Sequence, residues 1–159
     1  MILIIQTLLI LRYKKIENMK INLSIVLIII TIFCFNVNAG QIKIFVSNID
    51  EEKGTIHFGV FNDPKLFPKE NGKMLGGFED VSKVIREGLV INNLEESDYA
   101  IAIFHDKNLN KKFDTFLAIP KEKYGFSNNA EVFFGPPKFE DASIFVERNA
   151  FVEIMIELR

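Results

Sequence analysis

Apolar and polar residues alternate in short runs along most of the chain after residue 40. In the run QIKIFVS, for example, Ile42, Ile44 and Val46 share one side. A period of two places successive side chains on opposite faces of a β-strand, whereas an amphipathic helix needs a period of about 3.6. The pattern therefore predicts strands at 41–47, 54–61, 88–94, 99–105, 143–147 and 151–158, with weaker strands at 81–86 and 131–134.

Short β-rich runs separated by Gly, Pro, Asn and Asp clusters are typical of an antiparallel β-sandwich. We therefore predict an all-β domain of about seven to eight strands. No window supports a long amphipathic helix, although 80–87 also fits a short one. Two connections, 62–78 and 106–130, are long for so small a domain. Loops of this length usually carry function or are held in place by something.

The N-terminal part of the chain carries the features of an export signal. Lys20 precedes an apolar run at 23–35, and small residues follow at 37–39. A short apolar run followed by a cleavage site is typical of a secretory signal peptide and too short for a spanning helix. We predict a signal peptide at 19–39, cleaved after Ala39, and export to the periplasm or out of the cell.

Residues 1–18 contain a second apolar stretch, which a signal peptide does not need. The simpler explanation is that translation truly starts at Met19 and the preceding residues come from an over-extended start. The alternative is a retained leader that anchors an accessory protein in the cell envelope. In that case the uncleaved segment would be the protein's contact with a membrane.

The mature domain, 40–159, carries 15 Lys and Arg against 20 Asp and Glu, a net charge of −5. Such a domain is a poor nucleic-acid binder, because neutralising phosphates requires a basic face. The single cysteine, Cys34, lies inside the predicted signal peptide. The mature domain therefore has no disulfide and no cysteine-based metal site. Its stability must come from its core or from a bound ligand such as an ion.

The stretch FHDKNLNKKFD carries oxygen-bearing side chains at alternate positions. With Asp106 as position one, Asn108 is at three, Asn110 at five, Lys112 at seven and Asp114 at nine. These are the ligand offsets of an EF-hand-type loop, in which position seven contributes its backbone carbonyl. Ca²⁺ takes six to eight oxygen ligands, which such a loop supplies. The spacing therefore predicts a calcium site.

The stretch also departs from a complete calcium loop. Position six is Lys111 where Gly makes the sharp turn, and position twelve is Leu117 where a bidentate Glu is expected. Glu122 and Asp141 are candidates for the missing carboxylate. The predicted affinity is weak, on the order of 10⁻⁴–10⁻³ M. The alternative interpretation is an ordinary polar hairpin loop, in which Asn, Asp and Lys are common.

The strings YAIAIFHDKNLNKKFD, IPKEKYGFSNNA and KFEDA resemble the bacterial family called Domain of Unknown Function 2141. The likeness covers nearly all of 40–159 and is densest between 99 and 142. Lys111 stands where that family usually has Gly, and 116–118 stand where it tends to have a Gly before Ile-Pro. The resemblance implies an exported immunoglobulin-like or prealbumin-like β-sandwich and implies no established activity. The calcium loop is also similar to those of prealbumin-like repeats in bacterial surface proteins.

A second candidate site is the segment Gly125, Phe126, Ser127, Asn128 and Asn129. Gly and Asn tolerate positive φ and present polar groups, so this segment is predicted as a ligand-binding edge. The alternative is a loop that closes one end of the sandwich with Phe126 as its plug.

A catalytic alternative is a metal-assisted hydrolase that uses His105, Asp106 and Glu122 with a metal-bound water. Against it, no local signature marks a Ser or Cys nucleophile, and adjacent residues of a strand point to opposite faces. We therefore expect a non-catalytic module.

Among the aromatic residues, Phe61, Phe67 and Phe78 flank the first long loop and are predicted either as core or as an apolar binding patch. Tyr99 follows an acidic turn and is predicted to form a tyrosine corner, in which the hydroxyl donates to upstream backbone.

Overall fold

The computed structural model describes residues 12, 14, 15, 39–117 and 119–159. The predicted over-extended start, 1–18, and signal peptide, 19–39, lie almost wholly outside the described residues. The backbone divides into two units, Met1–Val37 and Asn38–Arg159, and every element named below belongs to the second. Among the described residues, no helix combines the length and the apolar character needed to cross a bilayer.

The domain is built mainly from strands. They are β1 (Gly40–Ser47), β2 (Thr55–Phe61), β3 (Leu75–Asp80), β4 (Leu89–Leu94), β5 (Ser97–Asp106), β6 (Thr115–Phe116), β7 (Ile119–Pro120), β8 (Tyr124–Phe126), β9 (Ser143–Val146) and β10 (Phe151–Glu157). The helices are α1 (Val81–Glu87) and α2 (Phe139–Ala142), with single 3₁₀ turns at Glu70–Gly72 and Ser127–Asn129.

The strands form two main sheets, which confirms the predicted all-β sandwich. In the three-stranded sheet, β1 lies between β10 and β4. In the five-stranded sheet, β2 lies between β3 and β5, and the far edge of β5 is shared by β8 and β9. Every pair is antiparallel except β1–β10, which is parallel and joins the two ends of the domain. β6 and β7 form a separate two-stranded hairpin.

The core between the two sheets is built from the alternating apolar positions. Its fully buried members include Ile42, Ile44, Ile56, Val60, Ile101 and Ile156. Burial of one such side chain is worth about 1.5–3 kcal/mol. The sandwich therefore has a substantial core, and residues 40–159 contain no cysteine that could form a disulfide.

Tyr99 sits in this core and forms the predicted tyrosine corner. Its side chain is 1% exposed, and its hydroxyl donates a hydrogen bond to the carbonyl oxygen of Glu95 at 2.9 Å. Burial raises the pKa of Tyr99 above its usual value. The bond fixes the turn between β4 and β5, where the longest strand begins.

Two weak strand predictions are wrong. The segment 81–86 belongs to α1, because Asp80 caps its N-terminus by accepting hydrogen bonds from the backbone N–H groups of Ser82 and Lys83. The short helix was the alternative for this window. The segment 131–134 forms no strand, and the first four residues of β3 lie in 62–78, where the sequence predicts a loop.

A second apolar cluster covers the outer face of the five-stranded sheet, the face turned away from β1. Phe67 packs edge-to-face against Phe61, Phe126 and Phe139, with centroid distances of 5.2, 5.8 and 6.0 Å. Phe61 and Phe67 are buried, whereas Phe78 is about half exposed. The three residues therefore do not form one exposed apolar patch. This end of the sheet is covered on both faces.

Candidate functional site

The end of β5 places Asp106 at the start of the predicted calcium loop. Asp106 pairs with Thr55 of β2, and the preceding residue, His105, pairs with Ile56 of the inner core. Alternation along the strand therefore directs His105 inward and Asp106 to the outer face. The Asp106 side chain is fully buried although it stands at a strand end.

The loop turns back on the Asp106 carboxylate. Oδ1 accepts a hydrogen bond from the backbone N–H of Asn110 at 3.2 Å, and Oδ2 accepts one from that of Lys111 at 2.7 Å. Lys111 has φ = 62° and Leu109 has φ = 61°. Lys111 thus adopts the left-handed conformation that Gly usually supplies at this position, at a cost of about 1–2 kcal/mol.

The other predicted ligands gather around Asp114. The amide nitrogens of Asn108 and Asn110 both donate to its Oδ2, each at 2.8 Å. The oxygen of Asn108 accepts from the backbone N–H of Asn110 at 3.0 Å, and that of Asn110 accepts from Lys112 at 2.8 Å. The loop is therefore wound around a polar centre, and a cation entering it would displace the two amide nitrogens from Asp114.

Glu122, one of the two candidates for the missing carboxylate, lies beside the loop. Its side chain is only 7% exposed, and Oε2 accepts a hydrogen bond from the backbone N–H of Asp114 at 3.0 Å. Its second oxygen, Oε1, is buried and has no hydrogen-bond partner among the residues that the structure describes. Burial raises the pKa of Glu122, and the negative charges of Asp106 and Asp114 raise it further, whereas the backbone N–H groups of Asp114 and Lys107 oppose the shift.

These side chains can bind a hard cation through oxygen. Three carboxylates and two amides lie within one loop and its neighbour, which is the ligand chemistry that Ca²⁺ prefers. Within the described ranges, no group of three or more His, Cys, Asp or Glu side chains has the spacing of a metal site. Binding therefore requires the amide oxygens, and the Asn side chains must rotate to present them.

The second candidate for a remote carboxylate lies elsewhere. Asp141 belongs to α2, and its carbonyl oxygen is near the amide nitrogen of Asn128. Its side chain is exposed. Of the two candidates, only Glu122 is hydrogen-bonded to the predicted calcium loop, 106–114.

The residues of the hydrolase alternative are not gathered on one surface. His105 is fully buried, and its Nε2 lies 2.7 Å from the carbonyl oxygen of Lys53. Asp106 projects from the opposite face of β5. A ring with no exposed atom has no contact with a substrate in solvent.

The predicted ligand loop bridges several strands. Oγ of Ser127 accepts from the backbone N–H of Ile101 at 2.8 Å. The amide of Asn128 donates to the carbonyl of Ser143 at 2.7 Å, and the oxygen of Asn129 accepts from the backbone N–H of Glu157 at 2.8 Å. Phe126 is 6% exposed and belongs to the outer cluster. The polar side chains of this loop are thus engaged within the chain.

The sequence analysis gives no role to His57, which contacts the predicted calcium loop at Asp106. Its Nε2 lies 3.3 Å from Oδ2 of Asp106. Its ring stacks between Phe78 and Phe104, with centroid distances of 5.2 and 4.7 Å. Burial lowers the pKa of His57, and the nearby Asp106 charge opposes that shift. Alternation along β2 does put His57 on the outer face, but nothing in the sequence pairs it with Asp106.

His57 is part of a line of aromatic side chains across the outer face. Phe104 contacts Phe113 at 5.4 Å between centroids, and Phe113 contacts Tyr124 at 5.5 Å. We call Phe78, His57, Phe104, Phe113 and Tyr124 the aromatic row. Phe113 belongs to the predicted calcium loop, 106–114, so the loop and the row share a residue.

A family model described as "Uncharacterized protein conserved in bacteria (DUF2141)" matches residues 44–153. The matched range covers more than half of the chain and includes the calcium loop, Glu122 and the aromatic row. No curated protein and no solved structure matches the chain.

Proposed function

We propose that this chain, which belongs to the bacterial family DUF2141, is an exported, non-catalytic β-sandwich module with a weak structural calcium site. The site consists of Asp106, Asn108, Asn110 and Asp114, the backbone carbonyl of Lys112, and Glu122. Its role is to hold the long connection 106–130 against one end of the sandwich.

One observation carries the proposal: Oε1 of Glu122 is buried next to two further carboxylates and has no partner among the described residues. A buried, unpaired carboxylate oxygen is costly, and its charge makes the cost larger. A bound cation removes that penalty. Hydrogen bonds from Asn108 and Asn110 already offset the charge of Asp114, so the penalty is concentrated on Glu122.

Calcium suits this site better than zinc. Every candidate ligand is an oxygen, and Ca²⁺ binds oxygen in flexible geometry, whereas Zn²⁺ favours His and Cys in a tetrahedral arrangement. His57 touches Asp106 from outside the ligand set. The strained backbone at Lys111 weakens calcium binding. We expect a dissociation constant on the order of 10⁻⁴–10⁻³ M, as in extracellular modules.

A non-catalytic role is supported by the burial of His105 and by the lack of a nucleophile signature in the sequence.

Export is supported by the pattern of residues 19–39. N-terminal sequencing of the protein purified from expressing cells tests the export step. Gly40 as the first residue supports cleavage after Ala39. Retention of the leader would favour an envelope-anchored accessory protein instead.

Thermal and urea unfolding of the mature protein, with and without Ca²⁺, tests the site itself. For a millimolar site, tens of millimolar Ca²⁺ should add about 1.5–2.5 kcal/mol to the free energy of unfolding. Asp114→Ala should lose this gain, whereas the control Asp141→Ala should keep it. Equal amounts of Mg²⁺ and Zn²⁺ should stabilise the protein less. Identical unfolding curves with and without Ca²⁺ would overturn the structural-ion proposal.

A further inference from the structure

Three small residues cross the outer face of the five-stranded sheet. Gly76 of β3 lies opposite Gly59 of β2, and Gly59 lies opposite Ala102 of β5. Two positions away along the same strands stand Phe78, His57 and Phe104 of the aromatic row. Because side chains two residues apart share a face, the small residues leave a slot beside a wall of rings. The Lys73 side chain lies in this slot over Gly59 and Gly76, and the slot is open at Ala102.

The slot continues as a cavity of about 440 Å³ with mostly apolar walls. Phe104, Phe113 and Tyr124 line it from the aromatic row, and Phe61 and Phe126 line it as well. Small-molecule sites typically measure about 300–1,000 Å³ and are lined mainly by apolar and aromatic side chains. Stacked or edge-on contacts with such rings favour a flat apolar guest.

Lys73 brings a positive charge to this cavity. Its alkyl chain crosses Gly59, with carbon atoms 2.9–3.1 Å from where a Cβ at that position would stand. Nζ lies 2.7 Å from Oε1 of Glu70, and both residues line the cavity. The Glu70 side chain is 87% exposed, whereas that of Lys73 is 25% exposed. Glu70 can therefore turn into water at little cost and leave Lys73 to an anionic ligand.

We propose that this slot binds a small, flat, apolar anion, such as an aromatic carboxylate or sulfonate. The apolar body lies over Ala102 against the aromatic row, and the anionic group takes the place of Glu70 on Lys73. The shape of the cavity gives the affinity for the flat body. Lys73 is the one cationic side chain among the described residues that line the cavity, and it gives the preference for a negative charge. This site goes beyond the calcium site and does not rest on it.

The test uses two fluorescent probes with the mature protein in excess chelator: anionic 1-anilinonaphthalene-8-sulfonate and neutral N-phenyl-1-naphthylamine. The anionic probe should bind the folded protein at one site. Lys73→Met keeps the alkyl chain and removes the charge. It should weaken binding of the anionic probe about five-fold, the upper range for an exposed ion pair, and leave the neutral probe nearly unchanged.

Glu70→Gln should have the opposite effect, because it removes the competitor from Lys73. The anionic probe should bind more tightly, by about two- to five-fold. Nonspecific adsorption is not expected to give opposite changes in probe affinity for two neighbouring substitutions. Ala102→Phe fills the slot and should abolish binding of both probes, while Phe151→Ser, an exposed aromatic of β10, should change neither.

Circular dichroism of each variant confirms that it is folded, and the Lys73 and Glu70 variants suffice if Ala102→Phe does not fold. Equal losses of both probes in Lys73→Met would overturn the proposed charge preference. Binding of many probe molecules, or binding that survives Ala102→Phe, would overturn the slot itself and point to nonspecific adsorption. Since calcium is absent throughout, probe binding in these experiments does not require a bound ion.

Discussion

The Glu122 side chain is held where its negative charge is penalised, beside Asp106 and Asp114 and largely shielded from water. Glu122→Gln keeps the shape and removes the charge. We expect this variant to be more stable than the wild type in chelator and to lose the stabilisation by Ca²⁺. Thermal melts of both proteins in chelator and in calcium measure the two effects. A variant that still gains stability from Ca²⁺ would remove Glu122 from the ligand set.

The same residue predicts a pH dependence of the calcium-free protein. The pKa of Glu122 is raised above its ordinary value of 4.5, so the folded state holds this proton more tightly than the unfolded state. The stabilisation from the protonated form is complete below pH 4.5 and is lost as the pH rises through the folded-state pKa. In urea unfolding, the free energy of unfolding of Glu122→Gln relative to the wild type should therefore increase from pH 4 to pH 7. A constant difference between the two proteins would contradict the raised pKa.

At the scale of single elements, strands with strict alternation were predictable, and pairing between distant strands was not. Four strands show the alternating apolar pattern, because one face of each strand lies in the core. These strands are β1, β2, β5 and β10. β3 contains adjacent glycines and little apolar alternation, so its sequence resembles a loop. Val81 and Val84 of α1 are spaced by three, a helical interval in a window too short to distinguish from a strand.

The end of α1 depends on one glycine. Gly88 has φ = 76° and ψ = 175°, and a Cβ there would lie 2.8 Å from the carbonyl oxygen of Ile44. Gly88→Ala should therefore reduce the free energy of unfolding by about 1–3 kcal/mol. Urea denaturation measures this loss, with the exposed neighbour Glu87→Ala as the matched control. A loss no larger than that of the control would mean that the backbone relaxes freely at this turn.

At the scale of the whole molecule, the sequence located the polar loop but not its surroundings. The spacing from Asp106 to Asp114 was visible because the ligands are close in the chain, and Glu122 was one of two candidates. The contact between His57 and Asp106 depends on the register of β2 against β5, which are separated by more than thirty residues. The aromatic row and the slot arise from the same register. Alternation assigns each residue to a face, but it does not say which residues of different strands are neighbours.

Phe113 lies between Lys112 and Asp114 in the calcium loop, and its ring stands in the wall of the cavity beside Phe104 and Tyr124. If both proposed sites exist, they are coupled through this one side chain. Calcium should then change the affinity for the anionic probe, and thermodynamic reciprocity requires the probe to change the affinity for calcium by the same factor. Titrations of each ligand at saturating levels of the other measure that factor, and Phe113→Ala should bring it close to one. The calcium content of the loop and the occupancy of the slot would then each depend on the other.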